Sequence, residues 1–444
     1  MTGVEPEPLR LDDVRILDLE SDAIKGHTGK LFVLEPAGGP QRLDVKHLRR
    51  RVAERLPGLE PLRRRVEAPR RGGPVWVEDP EIDLDWHVAE HEVAEPLDDE
   101  AFRAAAGRIL AERLDRGRPL WRLDLVPLAA GRTGLVGRLH HAMADGVTAI
   151  RLAAGLLWDE PGGPAATTSA SPAADTQPPG PDSQPAPAKV APEAEHRERP
   201  LLVRLPGTLR RELRRGRDTV LDRHIGSERE IAWTVVPLQR LKAIGRAAGE
   251  GITVNDVVLA VVAGGLRGWL ASVGGRPDDL RAQVPVCLHL REGGTEIANR
   301  DSFLNVDLPV SEPNPVARLH TINAETSEAK LDHDADTLYS FFHALGRFRP
   351  LYSGVTRVVS GPREFALSVS NVPGPPERPM ILGHELREFC SFAEPADRHA
   401  LRVAVISLGG DLAFGLCSDP EAIGDLDHLA DALGQAVGEL EAAV

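Results

Sequence analysis

Apolar positions recur along the first half of the chain in two different rhythms, one typical of helices and one typical of strands. The helical rhythm predicts helices over 45–56, 99–114 and 147–157, and the alternating rhythm predicts strands over 31–34, 121–126 and 133–139. Asp145 and Gly146 stand where the third helix begins, directly after the last strand. A junction between a strand end and a helix start commonly carries functional side chains.

The second half of the chain mixes the same two rhythms. Its apolar spacing predicts helices over 238–248, 253–270 and 425–440, and strands over 284–286, 303–308 and 366–369. Two further strands, 401–407 and 412–416, form a predicted hairpin around Gly409 and Gly410. Helices and strands alternate in both halves, which predicts an α/β fold, in the form of an α+β sandwich.

A break in composition separates the two halves. Residues 161–192 are mostly Pro, Ala, Ser, Thr and Gly, and such a segment buries too little apolar surface to offset its ordering entropy. The length of 444 residues also favours two domains over one. We therefore predict an N-terminal domain over 1–158, a flexible linker over 159–200 and a C-terminal domain over 201–444.

Charge and cysteine content narrow the class of protein. A formal net charge of -14 argues against nucleic acid as the main partner. Three widely spaced cysteines, Cys287, Cys390 and Cys417, do not suggest a disulfide framework, so a reducing cytoplasm is expected. The longest apolar run, 254–266, is too short to span a bilayer. The sequence therefore predicts a cytoplasmic protein, or one that touches membranes only from the side.

One basic stretch, 204–223, leaves two interpretations open. Its apolar positions fit an amphipathic helix that contacts a membrane or a lipid droplet. They fit equally a solvated helix that packs on its own domain, which we favour.

The candidate chemistry lies in the sequence HHAMADG, which contains His140, His141, Asp145 and Gly146. Histidine exchanges protons near neutral pH, and an aspartate that orients the imidazole makes it a more effective base. Four interpretations compete: a metal site, a purely structural turn, a Ser-His-Asp hydrolase and a lone general base. A metal site lacks a third ligand cluster, and the hydrolase lacks a Gly-x-Ser-x-Gly elbow.

The same segment resembles the HHxxxDG motif of the acyl-CoA-dependent acyltransferases that share the chloramphenicol acetyltransferase fold. More narrowly, the chain resembles the bacterial wax ester synthase/diacylglycerol acyltransferase family. Five further motifs occur in that family's order, namely Pro119-Leu120-Trp121, Asn255-Asp256, Val284-Pro285-Val286 with Asn299-Arg300, Ser370-Asn371-Val372-Pro373-Gly374-Pro375, and Phe414-Gly415-Leu416 with Asp419. Each short motif is weak alone, and their common order carries the resemblance.

The resemblance implies two chloramphenicol acetyltransferase-like domains, each a mixed sheet flanked by helices, with an active-site channel between them. It implies that His141 is the general base, that Asp145 turns inward to pair with an arginine, and that His140 aligns the site. The implied substrate-binding residues are Gly146, Asn255, Asp256, Ser370 and Asn371. Asn255 and Asn371 are candidate oxyanion donors. The alternative for Asn255-Asp256 is a helix cap, and the alternative for Ser370-Asn371 is a strand followed by a turn.

The implied reaction is O-acyl transfer from acyl-CoA, as a substrate, to a long-chain alcohol or diacylglycerol, with no cofactor and no metal. Two alternatives stay open. One is an acyltransferase that modifies a specialised metabolite or takes its acyl group from a carrier protein. The other is a non-catalytic lipid-binding relative.

Overall fold

The computed structural model describes residues 6–36, 42–69, 72–160, 219–287, 301–331 and 365–444. Most of the predicted linker, the basic stretch up to residue 218, and Asn299-Arg300 lie outside the described residues. In the described part, two six-stranded sheets form the framework, and a small three-stranded sheet accompanies the first of them.

The first large sheet carries the HHAMADG segment at the end of one of its central strands. Its strand order is β12-β13-β2-β7-β6-β5. The strands are β2 (His27–Pro36), β5 (Val88–Glu90), β6 (Trp121–Pro127), β7 (Thr133–His140), β12 (Met380–Ile381) and β13 (His384–Ala393). The small sheet has the order β1-β4-β3, with β1 (Glu7–Pro8), β3 (Arg64–Glu67) and β4 (Val75–Glu78). Residues 27–34 of β2 are buried on both faces of the sheet, which explains the apolar run from Leu31 to Leu34.

The described residues of the first half contain five α-helices. They are α1 (Leu11–Asp18), α2 (Val45–Arg55), α3 (Leu84–His87), α4 (Asp99–Ala111) and α5 (Gly146–Leu157). Four of them begin at an aspartate whose side chain accepts a backbone N–H of the first turn, namely α2 at Asp44, α3 at Asp83, α4 at Asp98 and α5 at Asp145. The predicted starts of α2, α4 and α5 are therefore confirmed to within one residue.

The second large sheet has the order β10-β9-β11-β14-β15-β8. Its strands are β8 (Glu230–Pro237), β9 (Leu280–Cys287), β10 (Asp301–Leu308), β11 (Leu367–Val372), β14 (Leu401–Leu408) and β15 (Asp411–Ser418). The helices of this half are α6 (Leu238–Ala248), α7 (Val254–Ser272), α8 (Pro315–Leu331) and α9 (Leu426–Ala443). The predicted hairpin around Gly409 and Gly410 is confirmed by the antiparallel pairing of β14 with β15.

One segment of the second half completes the sheet of the first half. Strand β13 pairs antiparallel with β2, from His384 opposite Pro36 to Ala393 opposite Thr28. It also packs against β14 and β15 of the second sheet. The two sheets are thus joined by an exchanged strand that the predicted boundaries at 158 and 201 did not anticipate.

Helix α7 is the apolar segment that the sequence analysis considered too short to cross a bilayer. It continues beyond the apolar run to Ser272, and by length and composition alone its 19 residues could cross a membrane. Every side chain from 257 to 263 is fully buried inside the second core. Packing within the protein therefore accounts for its apolar sequence.

Candidate active site

The HHAMADG segment forms a tight connection between β7 and α5. The backbone N–H of Met143 donates to the carbonyl of His140 over 2.9 Å, which closes the turn. Asp145 is the N-cap of α5, and its carboxylate accepts the backbone N–H of Thr148 at 2.7 Å. This carboxylate is 3% exposed. Asp145 thus caps α5, as a structural role in this turn requires, whereas its expected arginine partner stays a prediction.

His140 is held on both ring nitrogens. Its Nδ1 accepts the backbone N–H of Ala142 at 3.1 Å, so its Nε2 carries the proton and donates to Glu20 at 2.8 Å. Burial acts to raise the pKa of Glu20, but hydrogen bonds from His140 and Arg116 outweigh it and lower that pKa. A ring fixed in this way supports the turn, and the expected role of His140 in aligning the site stays a prediction.

Gly26 supports the same turn from the neighbouring strand. Its carbonyl accepts the backbone N–H of His141 at 2.9 Å. Its φ of +76° is in the left-handed region, and a Cβ at this position would lie 2.3 Å from His140 Nε2. Only glycine satisfies both conditions without strain.

Replacement of Gly26 by alanine is therefore expected to lower both stability and activity. The positive φ alone costs about 1–3 kcal/mol, and the collision with His140 adds to this cost. Gly251→Ala is the matched control, because Gly251 has a φ of +80° and open space around it. Urea denaturation and the rate of thiol release from acyl-CoA measure the two effects. Equal losses in both variants would show that the contact with His140 contributes nothing.

His141 is partly exposed and lies where the two halves meet. Burial lowers its pKa to about 3, and the positive charges of Arg402 on β14 and Lys30 on β2 act in the same direction. The imidazole is consequently neutral at physiological pH. A neutral, partly exposed imidazole is able to accept a proton from a bound hydroxyl.

The second half of the chain reaches this site through its SNVPGP motif. Val372 ends strand β11, and its Cγ2 would lie 3.1 Å from a Cβ placed on Gly146. Gly374 approaches the backbone of β14 so closely that a Cβ would lie 1.9 Å from the carbonyl oxygen of Ser407. The structure therefore brings the HHAMADG and SNVPGP motifs together, as the implied position of the site between the halves requires.

Comparison with known proteins identifies the family. Residues 9–258 match the sequence model of the wax ester synthase/diacylglycerol acyltransferase catalytic domain, and residues 297–441 match that of its C-terminal domain. The chain belongs to this wax ester synthase/diacylglycerol acyltransferase family. The predicted family, fold class and O-acyltransferase class are thereby confirmed.

Individual members of the family resemble the whole chain. The probable diacylglycerol O-acyltransferase tgs2 of Mycobacterium tuberculosis is 29% identical over 453 residues, which cover 98% of each chain. The probable diacylglycerol O-acyltransferase tgs1 of the same organism is 29% identical over 84% of this chain and 82% of its own. The solved wax ester synthase/diacylglycerol acyltransferase of Marinobacter aquaeolei VT8 is 25% identical, covers 98% of this chain and 99% of its own, and has a TM-score of 0.71.

The first condensation domain of the CDA synthetase shares the fold. It covers 100% of this chain and 97% of its own with a TM-score of 0.56, at 16% identity. This likeness supports the two-domain architecture alone.

The other family motifs differ in how close they come to His141. Ser370 and Asn371 lie half-buried on β11, immediately before Val372. Asn255 is half-buried in the first turn of α7. Substrate contact by these residues and by Gly146 stays a prediction. Of these residues, Ser370 and Asn371 on β11 are the best placed to contact a substrate at His141.

Asp256 has a structural environment. It is 0% exposed, and its carboxylate accepts Thr253 N at 2.8 Å and Oγ1 at 2.7 Å, Asn323 Nδ2 at 3.0 Å and Thr326 Oγ1 at 2.6 Å. Burial acts to raise the pKa of Asp256, but these bonds lower it. The carboxylate closes a capping box with Thr253 and joins α7 to α8. The geometry thus supports the helix-cap alternative over the expected substrate contact.

The buried thiols of Cys390 and Cys417 are poor nucleophiles, which bears on whether the reaction could pass through a covalent acyl-cysteine. Burial raises the pKa of Cys417 to about 12 and raises that of Cys390 well above its usual range. The thiolate, not the thiol, attacks carbonyl carbons. A covalent acyl-cysteine at either position is therefore disfavoured.

Four residues near the site escaped the sequence analysis: Glu20, Gly26, Lys30 and Glu394. Glu20 and Glu394 lie outside regular elements, far along the chain from the residues that they contact, and no local pattern marks them. Lys30 did leave a signal, because a lysine interrupts the apolar strand β2 on the face that also carries Phe32.

Proposed function

We propose that this protein transfers a fatty acyl group from acyl-CoA to a long-chain alcohol or to diacylglycerol, with His141 as the general base. The observation that carries the proposal is a neutral, partly exposed imidazole at the junction of the two halves, held by Gly26 and the capped turn. The relatives named diacylglycerol O-acyltransferases support the acceptor class. Acyl-CoA is a substrate here, and the absence of any cofactor requirement stays a prediction.

The reaction requires one proton transfer in each direction. The acceptor hydroxyl gives its proton to His141 while its oxygen bonds to the thioester carbonyl carbon. The tetrahedral intermediate then breaks its carbon–sulfur bond, and His141 returns the proton to the leaving CoA sulfur. Ester and free CoA thiol are the products, and no covalent enzyme intermediate is needed. Positioned proton transfer of this kind contributes about 10²–10⁴-fold in rate.

Because the pKa of His141 is lowered, we expect the acid side of the pH–rate profile to differ from that of an ordinary histidine base. Lowering the pH removes activity only when the neutral imidazole becomes protonated, and its pKa of about 3 keeps it neutral well below the usual value of 6.5. We expect kcat/KM, measured by thiol release, to stay constant as the pH falls from about 7 to about 5. A fall centred near the unperturbed histidine pKa would show that His141 is solvated in the free enzyme.

The acceptor class is tested with the purified full-length protein. Palmitoyl-CoA is supplied with hexadecanol, with dioleoylglycerol or without an acceptor, and free thiol is followed together with the ester product by mass spectrometry. Thiol release that depends on either lipid acceptor supports the proposal. Thiol release without ester formation would reduce the activity to thioester hydrolysis and would contradict it.

A cytoplasmic location and a peripheral contact with a membrane or lipid droplet belong to the same proposal. Water-insoluble acceptors must reach the protein from a lipid phase, which supports a peripheral contact. The basic stretch that would make this contact lies mostly outside the described residues, so its two interpretations stay open.

A further inference from the structure

An apolar cavity of about 50 Å³ lies between the first sheet and helix α5. Its wall includes Phe32, Leu123 and Leu139 from the sheet and Leu152 and Leu156 from the helix. Lys30 also lines this cavity, although it is only 7% exposed. A buried ammonium group in apolar surroundings is costly unless something compensates its charge.

Among the described residues, the ammonium group of Lys30 has hydroxyl groups as hydrogen-bond partners but no carboxylate. Its Nζ donates to Ser391 Oγ at 2.6 Å and to Thr28 Oγ1 at 3.3 Å. No carboxylate is among the residues described as lining the cavity. Arg138 lines it as well, but its guanidinium is engaged by Asp124 and Glu112. Among these described neighbours, the positive charge of Lys30 has no anionic counterpart.

Strand pairing places Lys30 on the face of the first sheet that leads to His141, and the charge of Lys30 acts on the His141 imidazole. Lys30 lies opposite Gly137, and Thr28 lies opposite Leu139, two residues before His141. The ammonium reaches the Thr28 hydroxyl, which is one position further along the same face in the direction of the end of β7. Strand β13 supplies Ser391 on the same face, and helix α5 closes the cavity with apolar side chains.

We propose that Lys30 is a further catalytic residue, whose ammonium group stabilises the negative charge that develops on the thioester carbonyl oxygen while His141 takes the acceptor's proton. This inference rests on the proposed acyl transfer. The tetrahedral intermediate supplies the anion that the cavity lacks, and a preorganised buried charge is most effective where water is excluded. After the carbon–sulfur bond breaks, the oxygen is again a neutral carbonyl and the ester leaves.

Burial lowers the pKa of Lys30 to about 8, so the group is charged at neutral pH and loses its charge just above it. The other charged or titratable groups near it are Arg138, which lines the same cavity, and His141, on which the charge of Lys30 acts. Of these, His141 is already neutral over this range of pH. A fall in rate above a pH of about 8 would therefore indicate that the ammonium group of Lys30 has lost its proton.

Two variants and one surface control test the proposal. Lys30→Met keeps the length of the side chain but removes the charge, and we expect kcat to fall about 10²–10³-fold with little change in KM for palmitoyl-CoA. Lys30→Arg keeps a charge that does not titrate in this range, so its alkaline limb should disappear. Lys46→Met, at an exposed position, should retain the wild-type kcat.

The outcomes separate this inference from the proposed function. Absence of acceptor-dependent thiol release in the wild type would refute the acyl transfer itself. An active wild type with an equally active Lys30→Met variant would refute only the role of Lys30. An unchanged alkaline limb in Lys30→Arg would refute it as well, even if Lys30→Met does not fold. Acylation of Lys30, detected by intact mass after incubation with palmitoyl-CoA, would show a neutral amine and would also overturn the role.

Discussion

His141→Ala is expected to lower acceptor-dependent thiol release about 10²–10⁴-fold. The variant removes the neutral imidazole that would accept the proton of the alcohol, and it leaves the backbone bond from residue 141 to Gly26 in place. The fold should therefore persist, and KM for palmitoyl-CoA should change little. Thiol release with hexadecanol or dioleoylglycerol measures the rate, and circular dichroism checks the fold.

A surface histidine provides the control for this variant. His47 is exposed, with 54% of its side chain accessible, and His47→Ala should keep the wild-type rate. If His141→Ala retained more than about a tenth of that rate, another group would be taking the proton. The mechanism would then be wrong even though the family assignment would stand.

The local part of the fold could be predicted because it depends on neighbours in sequence. The helix α6 is observed at its predicted bounds, and the start of α5 follows from the cap at Asp145. Strand β13 was missed for a different reason. Its partner strand β2 lies more than three hundred residues earlier in the chain, and no local pattern encodes which sheet it joins. Helix α8 was missed as well, since its apolar positions do not form a clear stripe.

The residues of the site also fall into two groups, those that a motif in the sequence predicts and those that only the folded structure brings together. His141, Asp145 and Gly146 follow from one short motif, and family order added Ser370 and Asn371, which the fold places beside Val372. The supporting residues could not follow from any motif. Glu20 reaches His140 only because the segment after α1 lies against the end of β7, and Glu394 reaches Gly26 only because β13 joins the first sheet. Tertiary contact, rather than residue type, gives these carboxylates their roles.

Glu394 joins the two halves directly behind the catalytic turn. Its carboxylate accepts the backbone N–H groups of Lys25 and Gly26, each at 2.8 Å. It also forms an ion pair of 2.7 Å with Arg229, which precedes β8 in the second half. Arg229 is 6% exposed, and Glu394 is a carboxylate that compensates its buried charge.

Glu394→Ala is accordingly expected to lower the free energy of unfolding by about 3–5 kcal/mol, since it leaves a buried guanidinium without its counter-charge and two backbone donors without their acceptor. The exposed pair between Arg240 and Glu441 provides the control, and Glu441→Ala should cost no more than about 1 kcal/mol. Urea denaturation measures both. The double variant Arg229→Leu/Glu394→Leu should recover part of the loss, because it removes both charges together. A Glu394→Ala variant as stable as Glu441→Ala would mean that water reaches Arg229, and the two halves would then be held together by the exchanged strand β13 and apolar packing alone.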